Sequence, residues 1–141
     1  MPRCLLCISL LLSVVTGRLY AQVPFPTTEG ESIRYTAYIE MGNPSKGSRT
    51  VYVSGICVLH REGDTIRGSL FNEFGITALD FSYRLAKKKV KLHTVMPMMN
   101  KWYIRKVLKK DLRQLMEGLQ NGQTTWKDER YHIDYQLTPL L

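Results

Sequence analysis

The sequence predicts an α+β fold: a curved antiparallel β-sheet, a half-barrel of about six strands, with one long amphipathic helix across its concave face. Three observations carry this. Between residues 31 and 96, apolar and polar side chains alternate in short runs separated by turn residues. After Pro97 the apolar spacing changes from two residues to about 3.6. A last alternating run then follows the helical stretch.

The elements follow in order. Gln22 to Gly30 holds Pro24, Pro26 and Gly30, shows no period, and reads as a flexible leader. In Glu31 to Met41, Ile33, Tyr35, Ala37 and Ile39 alternate with polar residues, the pattern of a half-buried strand. The cluster from Gly42 to Gly47 is a turn. Thr50 to Leu59 is a second strand, where Gly55 predicts a bulge or bend. Gly63-Asp64 makes a tight hairpin into Thr65 to Phe71, and Asn72 to Gly75 turns into Ile76 to Leu85. Thr77, Leu79, Phe81 and Tyr83 share one face of that strand. Lys87, Lys88 and Lys89 mark another turn before Val90 to Met96, completing a meander.

Asn100 is placed to cap a helix running to about Leu119. Ile104, Leu108, Leu112, Leu115 and Leu119 fall within an arc of about 80°, opposite Arg105, Lys106, Lys109, Lys110 and Arg113. Gly118 and Asn121-Gly122 supply the stop. Glu129 to Leu137, with Tyr131, Ile133 and Tyr135 alternating, reads as the final strand.

The first 21 residues have the three-part form of a secretory signal peptide: basic at Arg3, apolar from Leu5 to Val15, and a cut after Ala21, with Gly17 as the other option. The apolar run is shorter than the roughly 20 residues a spanning helix needs. The Cys4–Cys7 pair lies inside this signal, so it is not read as a redox motif. The expected organisation is therefore a signal (1–21), a leader (22–30) and one domain (31–141), periplasmic or otherwise exported, with association to the outer membrane as one option. Cys57, in an apolar strand, reads as a buried small hydrophobe.

The chain has 20 basic and 12 acidic residues, with much of the excess between Arg84 and Arg113. Export disfavours nucleic acid as the partner. Such a face suits an anionic membrane surface, an acidic protein or an anionic ligand, or it is simply a solvated face. No nucleophile elbow, phosphate-cradling loop or acidic calcium loop is present, so neither enzyme activity nor a cofactor is expected. His60, His93 and His132 would bind zinc only if they converged, and their spacing matches no known site. Glu73 and Asp80 read as a turn residue and an outward strand residue rather than a catalytic pair.

An apolar constellation is more promising. Met96, Met98, Met99, Trp102 and Tyr103 meet where the last meander strand enters the helix, and Met suits surfaces that accept varied apolar partners. With Phe71, Phe74 and Phe81 in the meander, they predict a ligand site lined by Phe71, Phe74, Phe81, Met98, Met99 and Trp102. Lys101, Arg105 and Lys109 would meet lipid head groups or an anionic partner.

The stretches Gly55 to Leu59, Ile66 to Gly75, Leu79-Asp80-Phe81 and Val90-Lys91-Leu92 resemble the central strands of periplasmic lipoprotein carriers and outer-membrane lipoprotein receptors. They also resemble exported bacterial proteins with an Asn-Glu-Phe-Gly step. The resemblance spans roughly residues 54 to 94 and is sharpest at Phe74-Gly75. It implies a half-open barrel with a helical lid and an apolar cavity for acyl chains. The family's carriers have more strands, which implies a smaller ligand here, pairing with a second copy, or lost cargo.

The expected function is therefore non-enzymatic binding of an apolar or lipid-modified ligand, such as a lipid or lipoprotein, at the cell envelope. The alternatives are an assembly subunit docking a protein partner through the same face and a peripheral membrane module using the basic helix.

Overall fold

A computed structural model of the chain describes residues 23–42, 47 and 50–140. The expected signal, 1–21, lies outside the described residues, as does part of the turn after residue 42. The chain forms a curled antiparallel half-barrel of seven strands and one long helix among the described residues: β1 (Ser32–Met41), β2 (Val51–Glu62), β3 (Thr65–Asn72), β4 (Thr77–Arg84), β5 (Lys89–Val95), α1 (Trp102–Gln120), β6 (Thr125–Asp128) and β7 (Ile133–Pro139). The sheet order is β5-β4-β3-β2-β1-β7-β6. The fold class is as expected, with one strand more than expected. The run read as a single final strand, Glu129 to Leu137, holds a turn and most of β7, and the extra strand β6 precedes it to form a β6–β7 hairpin. Asp128 Oδ1 accepts the Tyr131 N–H at 3.1 Å, and His132 has φ +53°, so residues 129–132 turn instead of pairing.

The concave face is continuous core. Tyr35, Ala37 and Ile39 of β1, Cys57 and Leu59 of β2, Ile66 and Leu70 of β3, Leu79, Phe81 and Tyr83 of β4, and Tyr135 and Leu137 of β7 are all buried. Pairing shifts at Leu70/Phe71 and at Asp80/Phe81. Ala78 and Leu79 are therefore both buried in succession, which a strict alternation would forbid. Two glycines are required by close approach. A Cβ on Gly55 would sit 1.7 Å from the Phe71 carbonyl oxygen, and one on Gly68 would sit 2.3 Å from the Phe81 ring. Gly55 thus marks a tight backbone crossing where β2 leaves β3.

α1 lays Leu108, Leu112, Leu115, Met116 and Leu119 into this face. Its backbone approaches β5 and β6, the two edge strands, so the helix bridges the gap left by the curled sheet. The expected Asn100 cap is not formed. Lys101 occupies the cap position without a side-chain bond, while Asn100 closes the 3₁₀ turn Pro97–Met99 and accepts from Arg105 Nη1 at 3.0 Å. The stop is as read: Gln123 N–H reaches Gly118 O, Gly122 N–H reaches Leu119 O, and Gly122 has φ +85°.

The two ends of the half-barrel differ. At the end where β1 starts, residues 23–26 of the segment expected to be a loose leader are packed, while 27–30 are exposed. Pro26 is buried, Val23 and Phe25 rest on the core, the Tyr35 hydroxyl donates to Pro24 O, and Gly30 N–H donates to Arg61 O at 3.0 Å. At the other end lie the β3–β4 turn, the start of β2, the entry to α1 and the β6–β7 turn. Most of the exposed large apolar residues crowd there: Val51, Tyr52, Phe74, Ile76, Met98, Trp102, Tyr103 and Tyr131.

Candidate functional site: a groove at the open end

Among the described residues, only a small void separates helix from sheet. The space between Ala37, Cys57, Leu79, Phe81, Leu112, Leu115 and Met116 amounts to about 20 Å³, room for about one water and lined without polar groups. The acyl-chain cavity implied by the family resemblance is filled here by the leucine stripe and Phe81.

A large space lies at the apolar end. A groove of about 680 Å³ runs between the first turns of α1 and the β6–β7 turn. Met41, Trp102, Tyr103, Ile104, Val107, Tyr131 and Ile133 give it apolar walls, and Lys106, Lys110 and Arg130 give it cations. No carboxylate lines it among the described residues. Its size falls within the range of small-molecule sites. Trp102 stands edge-on to Tyr103 with centroids 5.7 Å apart, and the Arg130 guanidinium lies 5.4 Å from the Tyr131 ring centroid. A second hollow of about 350 Å³ lies beside it, lined by Tyr52, Val53, Phe74, Met96 and Met98 with Ser54, Asn72 and Glu73.

The six residues expected to line one site are divided among these places. Phe81 and Met99 are core, at 2% and 0% exposure. Phe81 is held there because its ring covers Gly68. Phe71 is half-buried on the opposite strand face to Leu70. Phe74 and Met98 border the smaller hollow, and Trp102 borders the groove. Phe74 is 85% exposed because Asn72 Oδ1 accepts both the Phe74 and Ile76 N–H groups at 3.0 Å, turning the chain outward. The residues expected to meet head groups, Arg105 and Lys109 on α1 and Lys101 at its cap, do not line the groove. Lys101 lies over the Tyr103 ring at 6.0 Å, Arg105 is bonded to Asn100, and Lys109 is exposed. Lys106 and Lys110, four residues apart, face the groove instead.

One cluster went unread in the sequence. Asp111, on the apolar face of α1, is fully buried, and Asp128 of β6 is 6% exposed. The Tyr135 hydroxyl donates to Asp111 Oδ2 at 2.8 Å. Asp111 Oδ1, Asp128 Oδ2 and Trp126 Nε1 are buried without a satisfying partner among the described residues. Burial, then the neighbouring Asp128 carboxyl, pushes Asp111 up to about 7. Burial alone would raise Asp128 too, but Asp111, the Tyr131 and Arg130 N–H groups and Lys110 hold it below the usual carboxylate range. Asp111 could have been noticed as the one acid within the leucine stripe, but its partners are distant in sequence.

The remaining polar residues serve local structure. His60 bonds Ser32 Oγ at 2.6 Å on β2 and His93 bonds Ser82 Oγ at 2.9 Å on β5, while His132 lies in the β6–β7 turn. Ser54 donates to Glu73 at 2.5 Å and Ser69 to Asp80 at 2.6 Å. Cys57 is buried, and desolvation pushes its thiol up to about 12. No described helix is long and apolar enough to cross a membrane. Comparison with protein-family models, with curated proteins and with solved structures gives no match to this chain.

Proposed function

We propose that this protein is a non-enzymatic binder of an apolar or lipid-modified ligand, exported to the cell envelope, with the groove at the α1 entry as its site. One observation carries the reading: the groove joins an apolar wall of Trp102, Ile104, Val107 and Ile133 to Lys106, Lys110 and Arg130, with no lining carboxylate among the described residues. Such a site suits an aliphatic chain bearing an anionic head. The resemblance to lipoprotein carriers points to the same ligand chemistry, and the export signal at Arg3 and Leu5 to Val15 supports the compartment.

A fluorescent long-chain fatty acid tests this. It should bind saturably, and Trp102→Ala together with Tyr131→Ala should weaken it at least fivefold without changing the melting temperature, because both side chains are largely exposed. Lys106→Gln with Lys110→Gln should weaken the acid but not the matching fatty alcohol. Absence of binding by folded protein would overturn the proposal.

A second reading has its own support. Phe74, Ile76 and Trp102 are 85%, 60% and 78% exposed at one end of the barrel, more than a ligand-lining role requires. That rim suits docking on an anionic membrane surface, which salt-sensitive co-sedimentation with anionic vesicles would reveal.

A further inference from the structure

We infer that Asp111 and Asp128 share one proton, and that this proton fastens β6 and its turn to α1 and so holds one wall of the groove in place. The inference starts from unsatisfied atoms. Asp111 Oδ1 and Asp128 Oδ2 are both buried acceptors lacking a donor among the described residues. A proton on Asp111 supplies the missing donor: the acid donates to the Asp128 carboxylate, and one hydrogen bond satisfies both oxygens. The other Asp111 oxygen is already bonded by the Tyr135 hydroxyl.

The groups around the pair favour this state. From β7 comes the neutral Tyr135 hydroxyl, and from β6 the Trp126 indole. From α1, Lys110 lies near enough to favour the Asp128 charge, and from the turn come the Tyr131 and Arg130 N–H groups. Lys110 and the Tyr131 and Arg130 N–H groups steady a charge on Asp128 against its burial, whereas the Tyr135 hydroxyl and the Trp126 indole act on Asp111, where burial and the Asp128 carboxyl outweigh them. When the shared proton leaves for solvent, two buried carboxylates face each other with one donor fewer, and the fastening becomes a repulsion.

The pair lies directly behind the groove. Asp111 follows the groove residue Lys110, and Asp128 anchors through Oδ1 the turn that carries Arg130 and Tyr131. Loss of the proton should therefore loosen the turn wall and release a bound ligand in alkaline solution. This coupling rests on the proposed ligand site; the latch itself does not.

Amide hydrogen exchange of the protein at pH 5.5 and 8.5, expressed as protection factors, tests the latch. Protection across residues 125–132 should fall about thirtyfold in the wild type, as expected for a proton held to about pH 7 in the closed form and to about 4 in the open form. Asp111→Asn, whose amide donates to Asp128 at any pH, should show no such fall; Asp128→Asn serves if that variant folds poorly. Unchanged wild-type protection, or an equal fall in the variants, would overturn the latch. In parallel, affinity for a naphthalene sulfonate dye, which stays anionic throughout, should drop severalfold in the wild type alone. Constant affinity alongside changing protection would refute the coupling. Lack of dye binding at either pH would count against the ligand site, while exchange still judges the latch.

Discussion

Replacing Gly68 with alanine should destabilise this protein, and the size of the effect reports what Phe81 does. A methyl on Gly68 would lie 2.3 Å from Cζ and 2.4 Å from Cε1 of the Phe81 ring, where ordinary contact begins near 3.4 Å. The ring must move by roughly 1 Å. It has nowhere to go, since Phe81 is 2% exposed and the neighbouring void is about 20 Å³. Overpacking of this kind costs about 1–3 kcal/mol. Phe81→Leu alone should cost about 1–2 kcal/mol through the cavity it leaves. In the double variant the new methyl occupies vacated space, so the combined loss should fall short of the sum by about 1 kcal/mol or more. Urea unfolding followed by far-UV circular dichroism gives all four stabilities. If Gly68→Ala is neutral, or the two losses simply add, the ring is free to swing, Phe81 faces open space, and the claim that the helix–sheet interior is filled is wrong.

Two other expectations can be checked with the same protein. Asp111 binds its proton more tightly folded than unfolded, about 7 against 3.8, so the stability it contributes is full below about pH 4 and lost as pH rises through 7. Asp128, held below its ordinary value of 3.8, contributes in the opposite sense: its stability is present above that value and lost as pH falls below it. Urea midpoints of wild type and Asp111→Asn should therefore diverge between pH 4 and 8, the wild type losing ground by a few kcal/mol; parallel curves would contradict the buried acid pair. Cys57 should resist a thiol reagent in the native protein at pH 8 and react on addition of urea, because burial keeps it protonated and covered; rapid native labelling would place it outside the core.

The pattern of strands was legible because each meander strand has one buried face, and alternation states that face directly. Tyr35, Ala37 and Ile39 are buried as their spacing required, as are Leu108, Leu112, Leu115 and Leu119. Boundaries failed where side chains rather than periodicity set the turn. Asp128 capped a turn inside an apparently alternating run, and Asn72 turned Phe74 away from the core. Packing at residues 23–26 was not legible because proline marks irregular backbone but says nothing about whether that backbone is packed. Here Pro24 and Pro26 close one end of the half-barrel.

The order of residues by itself determined the fold class, the helix face and the cationic character of α1, since periodicity and charge are local properties. Tertiary structure alone decided where space is left for a ligand. Whether a phenylalanine fills the core or lines a groove depends on what stands opposite it, and for Phe81 that is Gly68, thirteen residues away on the paired strand. Whether a lysine flanks a site depends on which flank of the helix meets the β6–β7 turn, a contact between segments whose pairing no local pattern encodes. The buried acids follow the same logic: Asp111 and Asp128 acquire a shared proton only because folding removes water from both at the same point.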